Sequence, residues 1–255
     1  MRSYNGKTVW IIGASSGIGR ALVYELDRRG AKIVMSARST EKLQKIAQDL
    51  THSAAVESLD VTDMDAVKAA GERVVQTYAP DSVIYLAATY TPAGKSDTSL
   101  EAMQKVLSVN LGGAFNVFET LRSYFKKRGK GQIVLCGSVA AYRGLPFGQP
   151  YSATKAGILN YAQSLKAEMN VYGIDVRVIS PGFVDTGLTA QNTFKMPMII
   201  QPDKAAKYIA DGLQSRKFEI HFPRRFTCFV KVFSMLPYWI YFKITTRMVK
   251  KKRAS

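Results

Sequence analysis

Cysteine is nearly absent from this chain of 255 residues: there are two, Cys136 and Cys228, and so distant a pair makes no disulfide framework. A reducing compartment is the expectation. Nine prolines and 19 glycines without a repeat exclude a collagen-like or low-complexity chain, and 47% hydrophobic residues exclude a disordered one. A secretory leader is not expected either. Residues 8–12 are the only apolar run near the start, shorter than the roughly 7 to 15 residues of a signal-peptide core, which predicts a cytoplasmic protein. Nor is there a run of the roughly 20 apolar residues that crosses a bilayer, and no metal site is expected. Acid is scarce in one region only. Residues 216–255 carry 11 basic side chains against the single acid Glu219, a balance of +10, whereas residues 1–215 carry 25 against 18, or +7 of the total +17.

What the chain does contain is alternation. Apolar runs of strand length at 8–12, 32–36, 54–59, 82–87, 132–137, 175–180 and 218–222 are separated by segments with helical spacing of apolar residues. Several runs are apolar throughout, as strands covered on both faces are. The pattern predicts one doubly wound α/β domain on a parallel sheet of about seven strands, with ligands at the strands' carboxyl ends.

The first strand runs straight into Gly13-Ala14-Ser15-Ser16-Gly17-Ile18-Gly19 and an amphipathic helix over 17–29. Glycines there let the backbone turn tightly and approach a pyrophosphate, whose charge meets amides at the helix N-terminus. A plain tight turn is the other reading. With this Gly-x-x-x-Gly-x-Gly spacing the chain resembles the short-chain dehydrogenase/reductase family over about residues 5–222, which implies a Rossmann-like sheet and nucleotide contacts from Gly13, Ser15, Ser16, Gly17, Ile18 and Gly19. It departs from the family at Ile12, where Thr is usual, and at Tyr85-Leu86-Ala87-Ala88, where Asn-Asn-Ala-Gly is common. After the second strand stands Arg38, with no acid to bind a ribose 2′-hydroxyl as an NAD-selective site requires. A guanidinium can instead meet a 2′-phosphate with two parallel charged hydrogen bonds, so NADP(H) is the expected cofactor; the alternative is a solvated arginine. Asp60 and Val61 match the family's adenine contact, although Asp60 also suits a turn cap, with Asp63 starting the next helix.

Tyr151 and Lys155 stand four apart on a helix read over 149–171, hence on one face. A free phenol titrates near about 10, and a neighbouring cation such as Lys155 stabilises its phenolate. Taken alone, the pair also fits one core residue and one solvated one. Ser138 follows the fifth strand and emerges at the same sheet edge, while Asn110 lies midway along a helical segment, where asparagine is disfavoured without a partner. In order, Asn110, Ser138, Tyr151 and Lys155 match the family's catalytic tetrad, and Pro181, Gly182, Val184 and Thr186 match its nicotinamide-side loop. The resemblance implies hydride transfer to a carbonyl carbon. Tyr151 protonates the oxygen, Ser138 polarises it, Lys155 lowers the phenol pKa and binds the nicotinamide ribose, and Asn110 holds a water. A non-catalytic redox sensor or scaffold on the same fold is the competing reading.

Beyond Thr186, Phe194, Met196, Pro197, Met198, Ile199 and Ile200 read either as a lid for a lipophilic carbonyl substrate or as core. The domain is expected over 1–222, with 223–255 as an amphipathic extension. There Phe226, Phe229, Val230, Phe233, Leu236, Ile240 and Ile244 recur at helical spacing, Tyr238 and Trp239 suit a headgroup interface, and 250–253 is a cationic cluster. Peripheral attachment to an anionic membrane is one reading and a helix packed on a partner subunit the other. The tail's aromatic density suits lipid better than nucleic acid, and no nucleic-acid module accompanies it. The resemblance further implies a homodimer or homotetramer.

Overall fold

A computed structural model describes residues 3–91, 99–192 and 194–254, with side chains to residue 250. Strand β1, Thr8–Ile12, shows how the sheet is covered. Val9 and Ile11 enter one hydrophobic cluster, Trp10 and Ile12 the other, and all four are buried, as the two-residue period of a strand dictates. Burying an indole such as Trp10 removes roughly 200 Å² from water, worth about 5 kcal/mol as an upper bound. Its one polar atom, Nε1, donates to Ser36 Oγ at 2.8 Å.

The other described strands are β2 (Lys32–Ala37), β3 (Ala54–Ser58), β4 (Ser82–Tyr85), β5 (Gly131–Cys136), β6 (Ile174–Pro181) and β7 (Glu219–Phe222). All pairings are parallel, in the order β3-β2-β1-β4-β5-β6-β7. Helices α1 (Gly17–Arg28), α2 (Thr40–Gln48) and α7 (Pro202–Gln214) cover one face. On the other lie α3 (Met64–Tyr78), α5 (Gly113–Arg128) and α6 (Tyr151–Asn170), with α4 (Leu100–Leu107) leading into α5. The chain order reverses between β1 and β4, so a crevice opens outside their carboxyl ends. The expected doubly wound sheet is therefore present.

Its edges differ from the sequence reading for reasons of pairing. The fourth strand stops at Tyr85 because Tyr85 pairs with Ile12, after which β1 turns away at Gly13. Conversely, β2 extends to Ala37 because Ser58 pairs with it. The long sixth helix starts after Pro150 rather than at residue 149.

The extension forms two helices, α8 (Arg224–Ser234) and α9 (Tyr238–Ala254). Pro237 lies between them; it has no amide to continue the first ladder, and it restricts Leu236. The apolar face expected to point outward is turned largely inward: Phe226, Val230, Phe233, Leu236 and Ile240 are half-buried, whereas Phe229, Val232, Met235, Tyr238, Trp239 and Phe242 are exposed. A helix with apolar residues on several faces has no single apolar period, so spacing alone could not choose which face meets the domain. Of the cationic cluster at 250–253, the side chains of 251–253 lie outside the described residues. No helix among the described residues is long and apolar enough to cross a membrane.

Candidate active site

The crevice is a cleft of about 530 Å³, a size suited to a small molecule, and every residue that the sequence assigned to catalysis or cofactor binding lines it except Asn110, whereas the apolar residues 194–200 do not. Its floor is the glycine loop. A Cβ on Gly13 would lie 2.5 Å from Ala87 N, and one on Gly19 would lie 2.1 Å from Gly13 O. Both positions therefore exclude any larger residue, and the loop lies flat against the end of β4. Helix α1 begins at Gly17, so amides of its first turn border the cleft beside Ser15, Ser16 and Ile18. The departure at 85–88 leaves this packing intact, because the backbone rather than the side chains of Leu86 and Ala87 meets Gly13.

At the far end, Arg38 is exposed and its side chain makes no hydrogen bond among the described residues. It stands close enough to Asp60, with Lys105, to depress the carboxyl's pKa. The largest cause of that lowering, however, is the Thr62 amide, which donates to Asp60 Oδ1 at 2.9 Å. Asp60 thus caps a turn and lines the cleft as well, while Asp63 caps α3 by accepting from the amides of Asp65 and Ala66. Lys42 and Lys105 also line this end, two cations the sequence reading missed. Lys42 follows Arg38 on the next helix and was legible; Lys105 arrives from a distant helix and was not.

Tyr151 sits in the first turn of α6, its ring edge-on to Tyr90 at 5.3 Å between centroids. Burial pushes its phenol up from the ordinary value, Cys136 adds to that, and the neighbouring Ser138 hydroxyl works the other way. Ser138 is held in turn by the Ala140 amide, which donates to its Oγ at 3.1 Å. Lys155, 2% exposed, lies beneath the tyrosine with its ammonium 5.5 Å from the ring centroid, and donates to the Cys136 carbonyl at 2.8 Å. Burial lowers its pKa.

Asn110 is fully buried in a widened turn between α4 and α5, where the Gly113 amide reaches back five residues to Ser108. Its Oδ1 accepts from the Thr89 amide at 2.7 Å, and its Nδ2 donates to the Thr89 carbonyl at 2.9 Å and to Thr154 Oγ1 at 3.2 Å. Thr154 Oγ1 donates onward to the Tyr151 carbonyl at 2.7 Å. The amide is spent on a buried chain that ties the end of β4 to the turn carrying Tyr151. No sequence signal marked Thr89 or Thr154.

The nicotinamide-side loop identified by resemblance follows β6. Gly182 donates to the Phe222 carbonyl at 2.7 Å, and Thr189 Oγ1 donates to the Val184 carbonyl at 2.6 Å and accepts from the Thr186 amide at 3.0 Å. The apolar residues beyond are not all core. Ile200 packs on the core beside its bridge to Val184, whereas Phe194, Met198 and Ile199 are exposed.

A doubly wound, Rossmann-like sheet with a glycine-loop cleft and a Tyr-Lys pair at its carboxyl edge defines the class. The family model described as short chain dehydrogenase matches residues 7–196, and the chain belongs to this family of oxidoreductases. An uncharacterized oxidoreductase of Staphylococcus epidermidis is 32% identical over 195 residues, 76% of this chain and 85% of the relative. One of Myxococcus xanthus is 29% identical over 245 residues, 93% of this chain and 95% of its own length. Among solved structures, a short-chain dehydrogenase of Streptomyces avermitilis shares the fold with a TM-score of 0.80 at 20% identity, over 97% of this chain and 99% of that one. A short-chain dehydrogenase of Sphingobium yanoikuyae in complex with NADPH gives 0.78 at 24% identity, over 85% and 88%.

Proposed function

We propose that this protein is an NADP(H)-dependent oxidoreductase that reduces a ketone or other carbonyl of a lipophilic small molecule, or oxidises the corresponding secondary alcohol. The observation that carries the reading is the convergence of Ser138, Tyr151 and Lys155 on one wall of the cleft whose floor is the glycine loop. A non-catalytic sensor would need the loop but not this trio.

The cleft fits the cofactor chemically. Gly13, Ser15, Ser16, Gly17, Ile18 and Gly19 would hold its pyrophosphate at the α1 N-terminus, a geometry in which backbone amides and helix dipole favour an anion. Arg38, with Lys42 and Lys105 nearby, would meet a 2′-phosphate, and Asp60 and Val61 would flank the adenine. Tyr151 and Lys155 would bind the nicotinamide ribose, and Pro181, Gly182, Val184 and Thr186 the nicotinamide side. When bound, the reduced nicotinamide supplies a hydride. Negative charge then grows on the carbonyl oxygen, and Ser138 and Tyr151 hydrogen-bond to it, more strongly as the charge develops. Tyr151 gives that oxygen its proton as general acid. Asn110, through Thr154, keeps the tyrosine's turn in register; with its side-chain amide already bonded, any water it holds must meet its backbone.

The apolar character of Phe194, Met198 and Ile199 at the loop beyond Thr186 supports a lipophilic substrate. A domain over 1–222, homodimeric or homotetrameric assembly, cytoplasmic placement and peripheral membrane attachment through 223–255 complete the reading. The test is cofactor oxidation across short- and long-chain ketones, keto lipids, steroids and sugars, with NADPH and NADH in parallel. Turnover with NADPH that rises with ketone chain length is expected; no turnover with any carbonyl, or a preference for NADH, overturns it.

A further inference from the structure

β7 ends at Phe222, and the chain passes through Pro223 directly into α8, so the tail is built onto the sheet edge where the cleft opens. In α8, Phe229 and Val232 stand three apart on the outer face, with Met235 just beyond; in α9, Tyr238, Trp239 and Phe242 share a face, the rings of Tyr238 and Phe242 stacked at 5.6 Å. All six are exposed, Met235 by 80% and Trp239 by 72%. So many large apolar side chains left open to water on two successive helices call for a covering.

The charges on the same helices bear on what covers them. Arg224, Arg225, Lys243, Arg247 and Lys250 are exposed, and none of their side chains forms a hydrogen bond or ion pair among the described residues. The single acid of this region, Glu219, is already bonded to Lys231 and to Tyr142 Oη. Exposed apolar side chains with interfacial Trp and Tyr, on the same two helices as unneutralised cations, complement an anionic lipid surface.

This face is fastened to both walls of the cleft. Five residues beyond Ser138, Arg143 donates to the carbonyls of Ser234 and Leu236, and its guanidinium lies over the rings of Tyr238 and Tyr241 at 4.7 and 4.0 Å. On the opposite wall, the ring of Phe226 lies tilted against that of Phe183 at 5.4 Å between centroids and closes against Gly182. The helices thus cannot settle on a surface without bringing the cleft's rim to it.

We propose that α8 and α9 dock on an anionic bilayer with Phe229, Val232, Met235, Trp239 and Phe242 in the lipid interface, and that the cleft takes its carbonyl substrate from that layer. The substrate clause rests on the reductase reading; the docking clause does not.

The experiment is flotation of the full chain with phosphatidylcholine vesicles, with and without phosphatidylglycerol, beside a V232D/W239D variant that changes two exposed side chains remote from the cleft. The wild type is expected to float with the anionic vesicles and to be released by high salt, and the variant to bind at least tenfold less with an unchanged melting temperature. Wild type that stays at the bottom of the gradient, or a variant that floats equally well, overturns docking, as does a dimer in solution that the variant dissolves. Rates on a water-soluble ketone and on a long-chain ketone carried in the vesicles separate the rest. Only the second is expected to fall in the variant, by roughly the factor lost in binding; equal rates on the vesicle-borne ketone overturn delivery from lipid. Failure of both proteins on every ketone, with flotation intact, refutes the reductase reading and not the docking.

Discussion

Replacing Tyr151 with phenylalanine removes one oxygen and little else. The ring keeps its edge-on contact with Tyr90 at 5.3 Å, and the chain from Asn110 through Thr154 ends on the backbone of residue 151, so the turn stays where it is. The phenol's interaction with the neighbouring Ser138 hydroxyl is lost, worth at most about 1 kcal/mol and so a fall of no more than roughly 2–4 °C in melting temperature for a chain of this size. Turnover falls far more. A general acid contributes roughly 10² to 10⁴ in rate, or about 2.7 to 5.5 kcal/mol of barrier, and kcat should drop by that factor while NADPH binding, followed by cofactor fluorescence, changes less than about threefold. The pH profile carries the same logic. Burial and Cys136 push the phenol up against the opposing influence of the Ser138 hydroxyl, so the protonated acid persists through neutral pH. Ketone reduction in the wild type should therefore be flat across neutrality and decline only in alkaline solution, whereas alcohol oxidation, which needs the phenolate, should climb with pH. A phenylalanine variant with kcat within about threefold of wild type, or with the wild-type pH profile, would refute the assignment of the proton to Tyr151.

Three further substitutions probe the rest of the site. Arg38→Ala should raise the KM for NADPH by roughly 10- to 100-fold through loss of charge-assisted hydrogen bonds while leaving that for NADH nearly unchanged, and equal effects on both cofactors would remove Arg38 from the phosphate site. Asn110→Ala strands the Thr89 amide and carbonyl, both paired now, and should cost about 3 kcal/mol or more in urea unfolding; a loss below about 1 kcal/mol would mean the turn is held by other contacts. Gly113→Ala sets a Cβ 2.4 Å from Tyr85 Oη and 2.6 Å from Val61 Cγ2, an overpacking worth roughly 1–3 kcal/mol that calorimetry should register as several degrees, and no shift would show that α5 slides freely against β4.

Legibility in the sequence followed the range of the interaction. Strand runs and the glycine loop are set by neighbours along the chain. The i, i+4 geometry of a helix puts Tyr151 and Lys155 on one face wherever that helix packs, so the doubly wound sheet and the pairing of these two side chains at the cleft could be read directly. Contacts across the chain could not. Asn110 was marked as needing a partner, but Thr89 and Thr154 are 21 and 44 residues away, and polarity alone names no partner. The same holds for the hold of Arg143 on Ser234 and Leu236, and for the inward turn of Phe226, Phe233 and Ile240 in a tail with apolar residues on several faces.

Local steric rules and hydrophobic period therefore determined which elements form and which side chains share a face. The tertiary structure alone decided where each buried polar atom finds its partner, that Lys155 donates to Cys136, and which side of the carboxyl-terminal helices meets water. The physical reason is that a hydrogen bond or a packed ring is satisfied by proximity in space, and proximity between residues far apart in the chain is created only when the sheet and its helices close on one another.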